Sequence, residues 1–421
     1  MLLIKGGCTA VGAKRTTDIL IDNGRIVEVA ENISKTGDME ALGAAGLLVA
    51  PGLVDMHVHF RDPGFEYKED TMSGAASAAA GGVTTCCCMP NTLPVADCVD
   101  IVRHIVEKGK QAPVRVLTYG AVTVGQKGTE LTDFVALKVV GAVALSDDGR
   151  PVQNADLMRR AMRLAHEYGL IIISHCEDAD MAKSYAVNEG AVSRKLGIPG
   201  RPAIAEEIMV ARDAMLSKDT GARVHIAHVS TAGAVEIIRL AKASGVRITA
   251  ETCPQYFMLT EDEILKQGAL ARINPPLRTA CDVDAIIAGL ADGTIDAITT
   301  DHAPHTEAEK ELPLANALSG MVGLETSLAA SLTALYHTGK LSFEKVIELM
   351  SANPARILGL DAGTLAVGAP ADIVIFDPDE EWTVAAEKFK SKARNTPLNG
   401  MKLRGRVKYT ISRGEIVYRD Q

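Results

Sequence analysis

The sequence predicts an α/β protein, a (β/α)8 TIM-like barrel with a small composite β-sandwich domain formed from both chain ends. Three observations lead there. Between residues 53 and 361, eight apolar strand-like runs alternate with helical stretches. Most of these runs end in His, Asp, Glu or Asn. The two ends are instead short strand-like pieces separated by turns, and chain termini often lie close together. The expected division is residues 1–52 for the N-terminal part of the sandwich, 53–361 for the barrel and 362–421 for the C-terminal part of the sandwich.

The elements follow in order. "MLLIKGG", "TDILIDNGRIVEVAE" and "GLLVAPG" read as strands, the second with an Asn23-Gly24 hairpin signal. The barrel strands are "GLVDMHVHF", "GVTTCCCMP", "VRVLTYGAV", "VGAVALSDD", "LIIISHCE", "RVHIAHVS", "VRITAETCP" and "DAITTDHAP". Amphipathic stretches at 154–169, 231–245 and 342–359 supply helices between or after them. "ADIVIFDPD", "EWTV" and "YTISRGEIVYRD" close the chain, with a turn at Arg413-Gly414.

Composition narrows the class. A chain of 421 residues with 47% apolar and 23% charged residues can bury a large core. A net charge of −9, with no basic run, argues against a nucleic-acid surface. The N-terminal stretch shows no basic leader before a long apolar segment, and the uncharged run 71–96 is broken by two Pro, so neither a secretory signal nor a membrane span is expected. Eight Cys without paired spacing suit reduced thiols in the cytoplasm. Adjacent residues in a strand face opposite ways, so Cys86-Cys87-Cys88 reads as small buried side chains rather than a metal site.

The strand tips carry the chemistry. Side chains at i, i+2 and i+4 of a strand share a face, which brings His57, His59 and Arg61 together at the end of the first barrel strand. The other tips offer Asn91, Asp147-Asp148, His175, His228, Glu251 and Asp301, with His302 and His305 just beyond. Imidazoles and carboxylates crowded into one buried mouth are costly unless partnered, and one or two divalent metals would take them as ligands. Arg61, further out, suits an anionic group of a substrate.

The ordered set "DMHVHFRDPG", "MPNT", "LSDDG", "SHCE", "AHVS", "INPPLR" and "TDHAPH" resembles the amidohydrolase superfamily, and within it the class I dihydroorotases. The likeness spans the whole chain and includes "GTLAVGAPADIVIFD" near the end. It implies that His57, His59 and Asp301 bind one metal, His175 and His228 a second, and that Asp148 bridges where many relatives use a carboxylated lysine. Asp147 then reads as supporting, and Lys138 as a solvated bystander. It further implies zinc, two ions per chain or one. Arg61, Asn91 and His305 would hold a substrate carboxylate, with Asn274 and the loop from Leu318 to Gly323 closing on the ring.

The activity so implied is the reversible hydrolysis of (S)-dihydroorotate to N-carbamoyl-L-aspartate in pyrimidine (UMP) synthesis. Metal-activated water would attack the ring amide, and Asp301 would act as general base and then general acid. The resemblance leaves room for another cyclic amidohydrolase (hydantoinase, dihydropyrimidinase or allantoinase) or for a silent partner of aspartate transcarbamoylase. A homodimer and an association with that transcarbamoylase are further expectations. Three departures from the pattern stand out: Gln255-Tyr256 in place of histidines, Leu318-Ser319-Gly320 in place of a Pro-aromatic-Gly turn, and Asp62 in place of Glu.

Overall fold

The computed structural model describes residues 1–9, 16–35, 37, 39–183 and 185–420; positions 10–15 of the expected N-terminal sandwich part lie outside it. The N-terminal strands are β1 (Leu2–Thr9), β2 (Thr16–Asp22), β3 (Arg25–Ala30), β4 (Glu40–Gly43) and β5 (Leu48–Pro51). Asn23 and Gly24 both adopt positive φ, 48° and 76°, as a two-residue hairpin turn between right-twisted strands requires.

The barrel follows without a linker: β6 (Leu53–Val58), β7 (Val83–Cys88), β8 (Arg115–Gly120), β9 (Ala142–Ser146), β10 (Ile171–Ser174), β11 (Arg223–Ile226), β12 (Ile248–Thr252) and β13 (Ala297–Ile298). Each pairs in parallel with the next in chain order. Closure comes from a parallel bridge between Val58 and His302, with the His59 N–H donating to the His302 carbonyl at 2.9 Å. All eight runs expected from the sequence contain a barrel strand. The last is regular over two residues only, and three residues beyond it Asp301 is left-handed, φ 48°.

Helices coat the barrel. The stretch expected at 154–169 is helical over Ala155–Glu167, its start capped by the Asn154 side chain on the Leu157 N–H. The stretch at 231–245 is helical over Ala232–Ala243 with Thr231 as cap. In the third, the turn widens to π geometry over Glu348–Ala352, just before Asn353-Pro354, where proline has no N–H to give the preceding turn. Among the described residues no helix is long and apolar enough to cross a membrane.

The chain returns to the sandwich in β14 (Ile373–Thr383), β15 (Lys402–Ser412) and β16 (Glu415–Arg419). β14 pairs antiparallel with β5, Ile373 opposite Pro51 through Phe376 opposite Leu48, so N- and C-terminal strands share one sheet in the order β16-β15-β14-β5-β1-β2-β3. Ile4, Ile19, Ile21, Ile26, Val49, Ile373, Ile375 and Ile411 form its apolar core. The three adjacent cysteines, Cys86 to Cys88, are buried free thiols in β7.

Candidate metal centre and substrate cleft

Strand geometry delivers the histidines. His57 sits within β6 and His59 one residue past its end, both nearly inaccessible. Arg61 gets there by a different route from simple strand alternation: β6 stops at Val58, and Arg61 takes a positive φ of 60° before Asp62-Pro63. His228 (φ 34°) and Asp301 (φ 48°) are also left-handed. Non-glycine residues rarely pay this backbone cost, and three doing so just past the ends of barrel strands mark a site whose surroundings enforce its shape.

Asp148 is the hub. Its Oδ1 lies 3.3 Å from His175 Nδ1, 3.3 Å from His228 Nε2 and 3.5 Å from His57 Nε2, and its Oδ2 lies 3.5 Å from His59 Nε2. Asp301 Oδ1 is 3.0 Å from His59 Nε2 and 3.6 Å from His57 Nε2. Asp147, the neighbour, points elsewhere and accepts the backbone N–H groups of Val122 and Thr123 and the Thr123 hydroxyl. Lys138 is outside the barrel mouth, with its ammonium on the Tyr168 carbonyl.

The cluster fits divalent metal. His57 Nε2, His175 Nε2 and His228 Nδ1 are buried with no hydrogen-bond partner, which is costly for a ring nitrogen unless a cation takes the lone pair. His175 Nδ1 and His228 Nε2 converge to 2.8 Å beside Asp148. Donor atoms of His57, His59 and Asp301 lie within 4.8 Å of one another, as do those of His57, Asp148 and His228. Electrostatics agree. Burial opposes charge on His57, yet Asp148 and Glu251 hold its imidazole well above the ordinary value, and Asp148 and Glu177 push His175 up to about 10. That negative potential is what a bound cation would neutralise.

Around this core, Asn91 Oδ1 accepts from His59 Nδ1 at 2.9 Å, so Asn91 orients a histidine. Among the described residues the Arg61 guanidinium makes long contacts, 3.4 Å to the Pro304 carbonyl and 3.5 Å to His305 Nε2. His305 donates to the Ser319 carbonyl at 2.9 Å, and burial, then Arg61, Lys68 and Lys310, keep its ring neutral. The Asn274 side-chain amide oxygen, Oδ1, accepts from the Arg201 guanidinium, which also meets Glu177. Asp62 is turned away, accepting from Thr71 and pairing with Lys108.

Sequence reasoning left several neighbours without a role. Glu251 bonds His57 Nδ1 at 2.7 Å, Glu177 stands 3.8 Å from His175 Nε2, and Arg201 joins Glu177 to Asn274. A carboxylate facing inward from a buried parallel strand was a signal for Glu251; Arg201, in a loop, offered none.

A closed parallel barrel with a histidine and aspartate cluster at its mouth and a sandwich made of both chain ends is the architecture of cyclic amidohydrolases. The structure superposes on L-hydantoinase (dihydropyrimidinase) from Arthrobacter aurescens with a TM-score of 0.89 at 27% identity, covering 99% of this chain and 96% of that one. D-hydantoinase from Bacillus sp. AR9 gives 0.88 at 26%, covering 100% and 96%. In sequence, residues 46–234 match the family described as dihydro-orotase-like. Dihydroorotase from Citrifermentans bemidjiense is 50% identical over 421 residues, 99% of each chain, and that from Acetivibrio thermocellus 49% over 426 residues, 100% of this chain and 99% of the relative. The chain belongs to the dihydroorotase family.

Proposed function

We propose that this protein is a dihydroorotase, opening (S)-dihydroorotate to N-carbamoyl-L-aspartate and closing it again in pyrimidine synthesis. Whole-length identity near one half to dihydroorotases supports the reading. The observation that carries the substrate is Arg61: a guanidinium at the cleft with two long contacts inside the protein has donors to spare for a carboxylate.

His57, His59 and Asp301 would hold one metal and His175 and His228 a second, with Asp148 reaching both sets. Imidazole nitrogens with carboxylate oxygens suit zinc. When bound, such an ion acidifies water and polarises a carbonyl oxygen. Asp301 takes a proton from the attacking water and returns it to the ring nitrogen as the C–N bond breaks, base then acid. Arg61 and the Asn91 amide would hold the ring through its carboxylate, while His305, its one N–H on the Ser319 carbonyl, and Asn274 would border the ring.

Likeness to hydantoinase structures favours one rival, a hydrolase of cyclic diamides that lack the carboxylate. A substrate panel decides. The expected result is turnover of dihydroorotate, with hydantoin and dihydrouracil slower by about 100-fold or more. Equal turnover of dihydrouracil and dihydroorotate would remove the proposal.

A further inference from the structure

Lys310 ends the short helix Glu307–Lys310 and is 4% exposed. Its ammonium donates to three backbone carbonyls, Arg272 at 3.0 Å, Leu318 at 2.9 Å and Gly320 at 3.0 Å. Three N–H donors meet three acceptors, with none left over. The acceptors come from two separate chain segments. Arg272 stands two residues before Asn274, while Leu318 and Gly320 flank Ser319, whose carbonyl takes the ring Nε2–H of His305. The same junction holds the Gly320 N–H on the Arg272 carbonyl at 3.0 Å, and the Asn395 amide on the carbonyls of Gly320 and Ala303 at 3.0 and 3.1 Å.

We propose that Lys310 is a positioning residue: its ammonium ties the Leu318–Gly320 loop to the segment leading to Asn274, and thereby sets His305 and the loop for the substrate ring. The proposal rests on the dihydroorotase reading only for what fills the cleft. An aliphatic side chain here would take one donor from each of three carbonyls, leaving those of Arg272 and Gly320 with the Gly320 N–H and the Asn395 amide.

The charged groups facing Lys310 sharpen the expectation. Arg272 lies on one side. Lys68, His305, Lys392 and Arg394, together with Glu307 and Glu311, line a cavity of about 450 Å³ beside it. Burial first, and then Arg272, press the ammonium down to about 7 against its three acceptors. Losing the proton would turn a lone pair toward a carbonyl, so the tie weakens as pH rises through neutrality.

The test compares Lys310→Met, Lys310→Gln and Lys310→Arg with the wild-type holoenzyme. Hydrogen exchange is read in the substrate-free protein, and kinetics on dihydroorotate are read beside zinc content. In Lys310→Met the Gly320 amide should exchange about tenfold faster and KM should rise about tenfold, with kcat within about threefold and zinc unchanged. Lys310→Gln should fall between, and Lys310→Arg should restore KM. Wild-type KM should climb between about pH 6 and 8, and the Arg variant, which stays charged, should not follow it. Unchanged exchange in both Met and Gln variants overturns the tie. A loss in kcat or zinc with KM unmoved also overturns it, leaving a packing role. If wild type fails to use dihydroorotate, the substrate reading falls while exchange still decides the tie.

Discussion

Glu251 accepts the Nδ1–H of His57 at 2.7 Å, which turns the other ring nitrogen, Nε2, toward Asp148 and Asp301. The carboxylate is fully buried on β12, and its second oxygen lies 3.2 Å from His225 Nε2. A carboxylate on the far nitrogen fixes the tautomer and strengthens the near nitrogen as a ligand. Glu251→Gln is therefore expected to lower zinc content and activity by about 10- to 100-fold. Metal analysis of the purified variant checks this; full zinc with full rate would refute it.

Asp301→Asn should reduce turnover by about 100-fold or more while substrate binding persists, because a proton carrier is lost but the carboxylate site is not. Calorimetric titration with carbamoyl aspartate beside a rate measurement separates the two. A variant at near wild-type rate rules out Asp301 as the proton carrier.

Arg61→Met should lower kcat/KM for dihydroorotate by about 100-fold, since a charged partner is removed from a desolvated pair. Dihydrouracil, which lacks the carboxylate, should lose far less. Equal losses would make Arg61 a structural residue.

An aspartate bridge needs no carbon dioxide to form. Protein stripped with chelator should regain activity on zinc alone, with no response to bicarbonate, and Lys138→Ala should be nearly silent. Asp148→Ala should lose metal. Asp147→Ala should instead cost about 1–3 kcal/mol of stability, because it abandons the Val122 and Thr123 donors. A bicarbonate requirement, or metal loss in the Asp147 variant, would reverse the assignment.

Asp70 caps the helix Thr71–Ala80 in a reciprocal box with Ser73 and pairs with Lys392. Burial pulls its carboxyl up, but Lys392 and Ser73 win and hold it at about 2, below the usual 3.8. A depressed acid stabilises the fold above its unfolded value and loses that contribution as pH falls, here between about 4 and 2. Asp70→Ala should cost about 1 kcal/mol at neutral pH, and much less near pH 2. Denaturant titrations at both values test this; an equal cost at both would exclude the carboxylate.

What the sequence made legible follows from how each residue acts. The histidines and aspartates of the centre were readable because they sit at the ends of short apolar strands, where alternation and chain order place them. Arg61 was placed in the right neighbourhood for an incomplete reason, since its position depends on a left-handed residue that no alternation rule foresees. Arg201 and Lys310 were invisible. Arg201 reaches a side chain 73 residues away and Lys310 a carbonyl 38 residues away, and backbone carbonyls leave no residue type to recognise.

The bridge from Val58 to His302, described above as barrel closure, also sets a clock. His59 leaves the ribosome 242 residues ahead of Asp301, which at typical elongation rates is roughly 12 to 50 s. Through that interval the first histidines wait on a strand whose far edge has no mate, and β5 waits longer still for β14. Cellular maturation is thus a late event: a nascent chain can assemble the candidate metal pocket only once Asp301 has been made, with 120 residues still to follow, and until then unpaired strand edges are its exposed liability.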